Sequence, residues 1–111
     1  MDGALPMIER EWQAQVVEAA RLLGWRVYHT HDSRRSAPGW PDLALVRDRL
    51  VMAELKTETG RVSPEQQQWL ALLDAAGVET YLWRPSDLDE VLAVLKRRRP
   101  SPSPTSHEVT A

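Results

Sequence analysis

The stretch PGWPDLALVRDRLVMAELKT, residues 38–57, decides the fold of this chain. Two apolar segments, LALV and LVMA, flank the polar residues Arg47-Asp48-Arg49, and this pattern predicts a β-hairpin with strands over 42–46 and 50–57. An aspartate stands at the start of the hairpin, and a glutamate and a lysine stand near its end. Because a buried charge without a partner is costly, some feature of the protein must compensate these three residues.

Two strand registers are compatible with this hairpin, and they place the charges differently. Residues that lie opposite each other in an antiparallel pair share a face. A two-residue turn pairs Asp42 with Leu55 and mixes charge with aliphatic side chains on both faces, whereas a three-residue loop pairs Asp42 with Glu54. In the second register one face is entirely aliphatic: Leu43, Leu45, Val51, Ala53 and Leu55. We therefore predict the second register, which gathers Asp42, Glu54 and Lys56 at the open end of the other face.

The remaining segments predict an α/β protein with the element order α-β-β-β-α-β-α. The predicted elements are a helix over 7–24, strands over 25–30, 42–46 and 50–57, a helix that begins after Ser63, a strand over 78–85 and a helix that begins near 86. This order implies a mixed four-stranded sheet flanked by helices. We expect one domain over residues 1–99, followed by a disordered Pro/Ser tail over residues 100–111.

Composition limits the classes of function. The 111 residues are 42% hydrophobic and 27% charged, with a formal net charge of -2, which argues against a generally basic nucleic-acid coat but not against a local basic patch. The chain has no cysteine, so disulfides, thiol catalysis and cysteine-ligated zinc are excluded. No apolar run approaches the roughly 20 residues of a membrane span, and no signal peptide begins the chain. We therefore expect a cytoplasmic protein with no membrane partner.

The two carboxylates predicted to meet at the open end of the hairpin indicate a cation site. Such a pair repels unless a proton or a cation lies between its members. The Asp/Glu pair favours Mg²⁺ or Mn²⁺, while a transition metal is an alternative because His29 and His31 are nearby. Lys56 points to the same face, where it could stabilise phosphate charge or position a metal-activated water. The alternative for Lys56 is a plain salt bridge with Glu54 or Asp42.

Around these residues the sequence resembles a nuclease of the PD-(D/E)XK superfamily. The short motif is Pro41-Asp42 followed by Glu54-Leu55-Lys56. The surrounding segments resemble, in order and spacing, the stand-alone VRR-NUC domains often found in phage genomes. These segments are Gly39–Leu43, Ala53–Thr57, Gly60–Ser63 and Gln66–Leu70. The resemblance runs from about Glu9 to about Asp87.

The resemblance implies a restriction-endonuclease-like core that hydrolyses phosphodiester bonds of DNA with Mg²⁺ or Mn²⁺. Asp42 and Glu54 would then be metal ligands together with the main-chain carbonyl of Leu55. Lys56 would be the catalytic lysine. No protein nucleophile is needed for this chemistry, because a metal-bound water can attack the phosphate.

Gln66 and Glu9 complete the catalytic set that the resemblance implies, and each has a structural alternative. Gln66 matches the glutamine on the helix after the lysine strand and would orient Lys56 or touch the scissile phosphate. It also fits a capping box with Ser63. Glu9 matches the acidic residue of the first helix, but in a first helical turn it could merely complement the helix dipole.

Three residues of the polar loop before the hairpin, His31, Arg34 and Arg35, are candidate DNA contacts. The two arginines could clamp substrate phosphates or simply be solvated. Since some VRR-NUC proteins resolve branched DNA, the resemblance suggests a four-way junction as substrate, a C2 homodimer as the assembly and, for a phage protein, the cytoplasm of a bacterial host. The competing interpretations are a nuclease-like fold that binds nucleic acid without catalysis, and a purely structural domain.

Overall fold

The computed structural model describes residues 7–30 and 37–100. Its elements are α1 (Glu9–Leu22), β1 (Arg26–His29), β2 (Leu43–Val46), β3 (Leu50–Leu55), α2 (Pro64–Ala75), β4 (Glu79–Trp83), a 3₁₀ turn (Pro85–Asp87) and α3 (Leu88–Lys96). The strands form one sheet in the order β1-β2-β3-β4, in which β1–β2 and β2–β3 are antiparallel and β3–β4 are parallel. The predicted mixed four-stranded sheet with flanking helices is confirmed.

Parts of two predictions lie beyond what the structure describes. Of the predicted tail, residues 101–111 lie outside the described residues, and so do the loop residues His31, Arg34 and Arg35. Within the described ranges, every helix is too short or too polar to cross a membrane.

The hairpin has the three-residue loop and the register that the side chains predict. Leu43 lies opposite Ala53 and Val46 lies opposite Leu50, so the same register carried one residue further brings Asp42 opposite Glu54. Asp42 and Glu54 share one face of the hairpin. The five aliphatic residues of the face away from them all have 0% exposure: Leu43, Leu45, Val51, Ala53 and Leu55. A slip of one strand by one residue would bring Asp42 or Glu54 onto this aliphatic face, so the burial of the five side chains fixes the register.

Helices α1 and α3 cover the aliphatic face and form the core with it. Trp12 and Val16 of α1 and Val91 and Leu95 of α3 are completely buried in this cluster. The buried indole of Trp12 donates its N–H to the Trp83 carbonyl at 3.0 Å, so its one polar group is satisfied. Helix α2 packs against β4, and Gln66 of α2 reaches Glu54 on the opposite face of the sheet. Glu54 therefore lies between the sheet and α2.

The three-residue loop of the hairpin is held by its arginines at the far end of the sheet. Arg47 donates to the carbonyls of Leu23 and Leu95 at 2.9 and 3.0 Å, and its guanidinium lies 4.5 Å from the ring centre of Trp25. Arg49 donates to both carboxylate oxygens of Glu79. These contacts satisfy carbonyls near the ends of α1 and α3 and tie the loop to the helices.

Gly39 lets the segment before β2 come into contact with the first turn of α2. Its φ is +87°, and a Cβ atom there would lie 2.5 Å from the carbonyl carbon of Glu65 and 2.7 Å from the amide nitrogen of Gln66. Real Cβ atoms do not approach backbone atoms so closely, so the contact requires glycine. The close approach brings the residues before Asp42 against the helix that carries Gln66.

We expect Gly39→Ala to lower the free energy of unfolding by roughly 2–4 kcal/mol, because it adds a backbone clash to the strain of a positive φ. Gly77→Ala is the matched control, since Gly77 has a φ of +89° but nothing within 4 Å of a built Cβ. The control should lose only about 1 kcal/mol. Urea denaturation of both variants measures the difference. Equal losses would mean that the close approach contributes nothing.

Candidate active site

Asp42 and Glu54 come together at the open end of the hairpin. The Oδ2 atom of Asp42 accepts the backbone N–H of Leu55 at 2.9 Å. The Asp42 side chain thus binds the N–H that a main-chain carbonyl would have bound in a longer ladder. This explains why β2 begins one residue later, and β3 ends two residues earlier, than predicted. The two carboxyl groups are close enough for the charge of Asp42 to act on Glu54.

Glu54 is a buried acid in a site of the same charge. Its exposure is 2%. Burial, and after it the negative charge of Asp42, raises the pKa of its carboxyl to about 8, while the positive charge of Lys56 opposes both effects. Its Oε2 accepts a hydrogen bond from Gln66, whereas its buried Oε1 meets no donor among the described residues and can form a hydrogen bond with the Asp42 carboxyl only while a proton lies between the two acids. An unsatisfied buried carboxylate oxygen is costly, and a cation would satisfy it.

The metal-free protein should lose stability as the pH rises from 5 to 8. Below the ordinary Glu pKa of 4.5 the Glu54 carboxyl is protonated in both the folded protein and the unfolded chain. As the pH rises towards 8 the unfolded chain releases this proton while the folded protein keeps it, so unfolding becomes more favourable, by an amount on the order of a few kcal/mol. Urea denaturation in EDTA at several pH values measures this slope.

Glu54→Gln provides the control for that slope, because a glutamine at this position can still accept the Gln66 hydrogen bond and does not titrate. The variant should be nearly as stable at pH 8 as at pH 5. A variant that keeps the full pH dependence of the natural protein would show that another group is responsible.

Gln66 forms the capping box with Ser63 that is one of its two predicted roles, and its side chain also contacts Glu54, a partner that the sequence does not predict. Its backbone N–H donates to the Ser63 hydroxyl at 3.1 Å and its Oε1 accepts the Ser63 N–H at 2.9 Å, which completes the capping box. Its Nε2 donates to Glu54 at 2.8 Å. Since the Ser63 amide can only donate, the oxygen of the Gln66 side chain must face it, and the NH₂ group is left for Glu54. The cap of α2 thereby fixes the orientation of the Glu54 carboxylate.

Glu9 and Lys56 complete the set of charges around the pair. Partial burial and the charge of Asp42 raise the pKa of Glu9, and the charge of Lys56 lowers it, so these groups lie within electrostatic reach. The helix-start amide of Ile8 is bound by Glu11, at 3.4 Å, and not by Glu9. None of the salt bridges among the described residues includes Lys56.

The loop that follows Lys56 is held by a residue that the sequence analysis did not identify. One Nη atom of Arg84 donates to the carbonyls of Thr57, Glu58 and Gly60 at 2.5, 3.2 and 2.9 Å. These bonds join the end of β4 to the loop and fix the chain directly after the lysine. No local pattern could have shown this, because Arg84 is 24–27 residues from the carbonyls it binds.

The main-chain carbonyl of Leu55 is oriented towards the same site. In a strand, the N–H and C=O of one residue point to the same side. The N–H of Leu55 donates to Asp42, whereas the next residue, Lys56, donates its N–H to Trp83 on the opposite side. The Leu55 carbonyl therefore points to the Asp42 side of β3, beyond the end of β2.

Another candidate ligand, His29, does not lie on the face of the sheet that carries the carboxylates. His29 pairs with Leu43 and therefore lies on the aliphatic face of the sheet. Asp42 lies on the other face. Trp40 packs edge-on against Trp69 with ring centres 4.9 Å apart, and the Trp69 indole donates to the Pro38 carbonyl. Trp40 thus helps to hold the segment before Asp42 on α2.

The donor set fits a hard divalent cation with an incomplete protein coordination shell. Among residues 7–30 and 37–100, no group of three or more His, Cys, Asp or Glu side chains could hold a metal ion. The fit depends on two carboxylates, one of them with an unsatisfied buried oxygen, and a neighbouring main-chain carbonyl. Mg²⁺ is often bound by one or two carboxylates with water and substrate phosphate completing the octahedron.

Comparison with known proteins gives one family and one fold. The VRR-NUC domain family model matches residues 5–86. A solved structure described as a "VRR_NUC domain protein" superposes with a TM-score of 0.68 at 18% sequence identity, over 83% of this chain and 88% of that chain. At this identity the structural match supports the fold alone. The comparison with curated proteins gave no match.

Proposed function

The chain belongs to the VRR-NUC domain family, and from this premise we propose that it is a metal-dependent endonuclease that hydrolyses phosphodiester bonds in DNA. The observation that supports the proposal best is the pair formed by Asp42 and the buried Glu54. A carboxylate with 2% exposure, an unpartnered oxygen and a second acid beside it is expensive in a structural role. A cation site accounts for that cost.

Asp42, Glu54 and the Leu55 carbonyl would hold Mg²⁺ or Mn²⁺. Either ion, when bound, lowers the pKa of a coordinated water and offsets the negative charge that develops on the phosphate. Gln66 fixes one oxygen of Glu54 and leaves the other oxygen, Oε1, for the cation. Hydrolysis at this site needs no protein nucleophile, because a metal-bound water would attack the phosphate.

Lys56 is proposed to act on the phosphate rather than on the carboxylates. Its ammonium lies on their face of the sheet and would stabilise the phosphate oxygens as charge builds up in the transition state. Glu9 attracts this ammonium from the α1 side. Arg84 fixes the loop that begins directly after Lys56 and thereby limits where the lysine can move.

For the substrate and the assembly we propose a four-way junction and a C2 homodimer. The described residues of one chain hold one such carboxylate pair, so one chain would cut one strand at a time, whereas a two-fold dimer would present two pairs to a two-fold junction. The arginines at 97–99 follow α3, and the Arg97 carbonyl is bound by the hairpin-loop residue Arg47. They are therefore at the end of the sheet away from Asp42, roughly four residues or 13 Å along the strand. In a monomer they would contact DNA beyond the cleavage site.

The test is a cleavage assay on end-labelled linear, nicked and four-way DNA with Mg²⁺, Mn²⁺ or EDTA. The proposal predicts cleavage with either metal, none in EDTA, and paired nicks on opposite strands of the junction by a protein that sediments as a dimer. A monomer that nicks linear duplex as readily as the junction would leave a general nuclease. A protein that binds DNA and cuts none of these substrates would be a non-catalytic binding module.

A further inference from the structure

The sheet face that carries the carboxylates is open over β1, β2 and the first residue of β3. Large side chains are exposed there: Tyr28 is 67% exposed, Val46 48% and Leu50 47%. The register places them in two rows. Arg26, Val46 and Leu50 form one row, and Tyr28, Ala44 and Met52 form the next. The following row in the same direction is that of Asp42 and Glu54.

Tyr28 is therefore a direct neighbour of the proposed site. It lies opposite Ala44, and Asp42 is two residues before Ala44, which makes Tyr28 and Asp42 diagonal neighbours. Diagonal pairs in antiparallel sheets are about 7–8 Å apart, within reach of a tyrosine ring. Beyond the end of β1 the chain still runs beside the residue that precedes β2, since the Thr30 amide donates to the Asp42 carbonyl at 3.0 Å.

The surroundings of Tyr28 leave its ring available to a ligand. The residue opposite it, Ala44, has a side chain too short to cover an aromatic ring. An exposed ring beside a phosphodiester-cutting site is suited to stacking on a base, and every base offers the same π-face. Inside a duplex the faces of the bases are already stacked, so only an unpaired base can lie on the sheet. Arg26, which is exposed in the next row, supplies a positive charge for the backbone of the same strand.

We propose that Tyr28 stacks on an unpaired base of the DNA strand next to the cleavage site, and that Arg26 contacts the phosphate backbone of that strand. This inference rests on the proposed nuclease function, and it adds that one nucleotide beside the scissile phosphate of the bound junction is unpaired. It also explains why a large aromatic side chain is left exposed on a sheet face.

The test measures DNA binding without cleavage. The affinity of the natural protein for a fluorescent 12-nucleotide single strand and for the matching duplex is measured in EDTA. The same measurement is made for Tyr28→Ala, Tyr28→Phe and Leu22→Ala. Leu22 is the matched control, as it is an apolar residue with 78% exposure at the end of α1. A single strand that carries 2-aminopurine reports stacking directly, because stacking on an aromatic ring quenches its fluorescence.

Tyr28→Ala should bind the single strand roughly 5- to 100-fold more weakly and should no longer quench 2-aminopurine. Tyr28→Phe should keep both properties, Leu22→Ala should behave like the natural protein, and duplex binding should change less. Unchanged single-strand affinity in Tyr28→Ala would overturn the inference. The inference would also be overturned if Tyr28→Ala no longer sedimented as a dimer but kept its single-strand affinity. That result would assign this face to a second copy of the chain.

The outcomes separate this inference from the proposed function. A natural protein that cleaves DNA while Tyr28→Ala binds and cleaves equally well would refute the stacking site alone. A natural protein that quenches 2-aminopurine through Tyr28 but cuts nothing would refute the nuclease function while a base-binding surface remains.

Discussion

The Asp42→Asn protein should stay folded and lose metal-dependent cleavage, with an initial rate two to three orders of magnitude below that of the natural protein. The change removes one anionic ligand of a two-carboxylate site. It should not disturb the strand end, because the amide oxygen of asparagine can still accept the Leu55 N–H that Asp42 binds at 2.9 Å. The melting temperature in EDTA should hold or rise, since the repulsion between Asp42 and Glu54 is relieved.

The matched control for this prediction is Asp89→Asn, which makes the same chemical change on an exposed residue of α3. Cleavage with Mn²⁺ and thermal unfolding in EDTA are measured for both variants. The control should cleave at the natural rate. Retained cleavage by Asp42→Asn would remove this residue from the site.

Lys56→Ala should lose turnover and keep its affinity for DNA and for Mn²⁺. Its proposed interaction becomes strong only when charge builds up on the phosphate, so its removal raises the barrier without weakening the ground state. We expect a loss of roughly 10²- to 10³-fold in the single-turnover rate at saturating protein. The chain has two lysines, and Lys96→Ala, at the exposed end of α3, is the matched control. A loss confined to DNA affinity would reassign Lys56 to phosphate binding.

The fold could be predicted because the hairpin has only one register that segregates its charges. Leu43, Leu45 and Val51 alternate with other residues at the strand period, and any other pairing would bury charge among them. The same argument places Asp42 opposite Glu54 from the strand pattern alone. The alternation of apolar and charged residues that determines the register lies within one short segment, so a single sequence is enough to recognise it.

Long-range hydrogen bonds, both beside the site and at the far end of the sheet, could not be predicted in this way. Arg84 donates to three carbonyls of the loop that follows β3. Arg47 donates to carbonyls near the ends of α1 and α3. The sequence pattern offers a helix cap, or a contact with Lys56 or the scissile phosphate, for Gln66, and it does not show that one end of the amide faces Ser63 and the other Glu54. The exposure of Tyr28 depends on which half of the sheet α2 covers, which strand patterns do not specify.

The central claim is that Asp42 and Glu54 form a cation site, and a calorimetric titration with Mn²⁺ tests it most directly. The natural protein and three variants, Asp42→Asn, Glu54→Gln and Lys56→Ala, are titrated at one pH without DNA. We expect one saturable site per chain in the natural protein and in Lys56→Ala, and no site in Asp42→Asn or Glu54→Gln. A natural protein that binds no Mn²⁺, or carboxylate variants that bind it as tightly as the natural protein, would contradict the account.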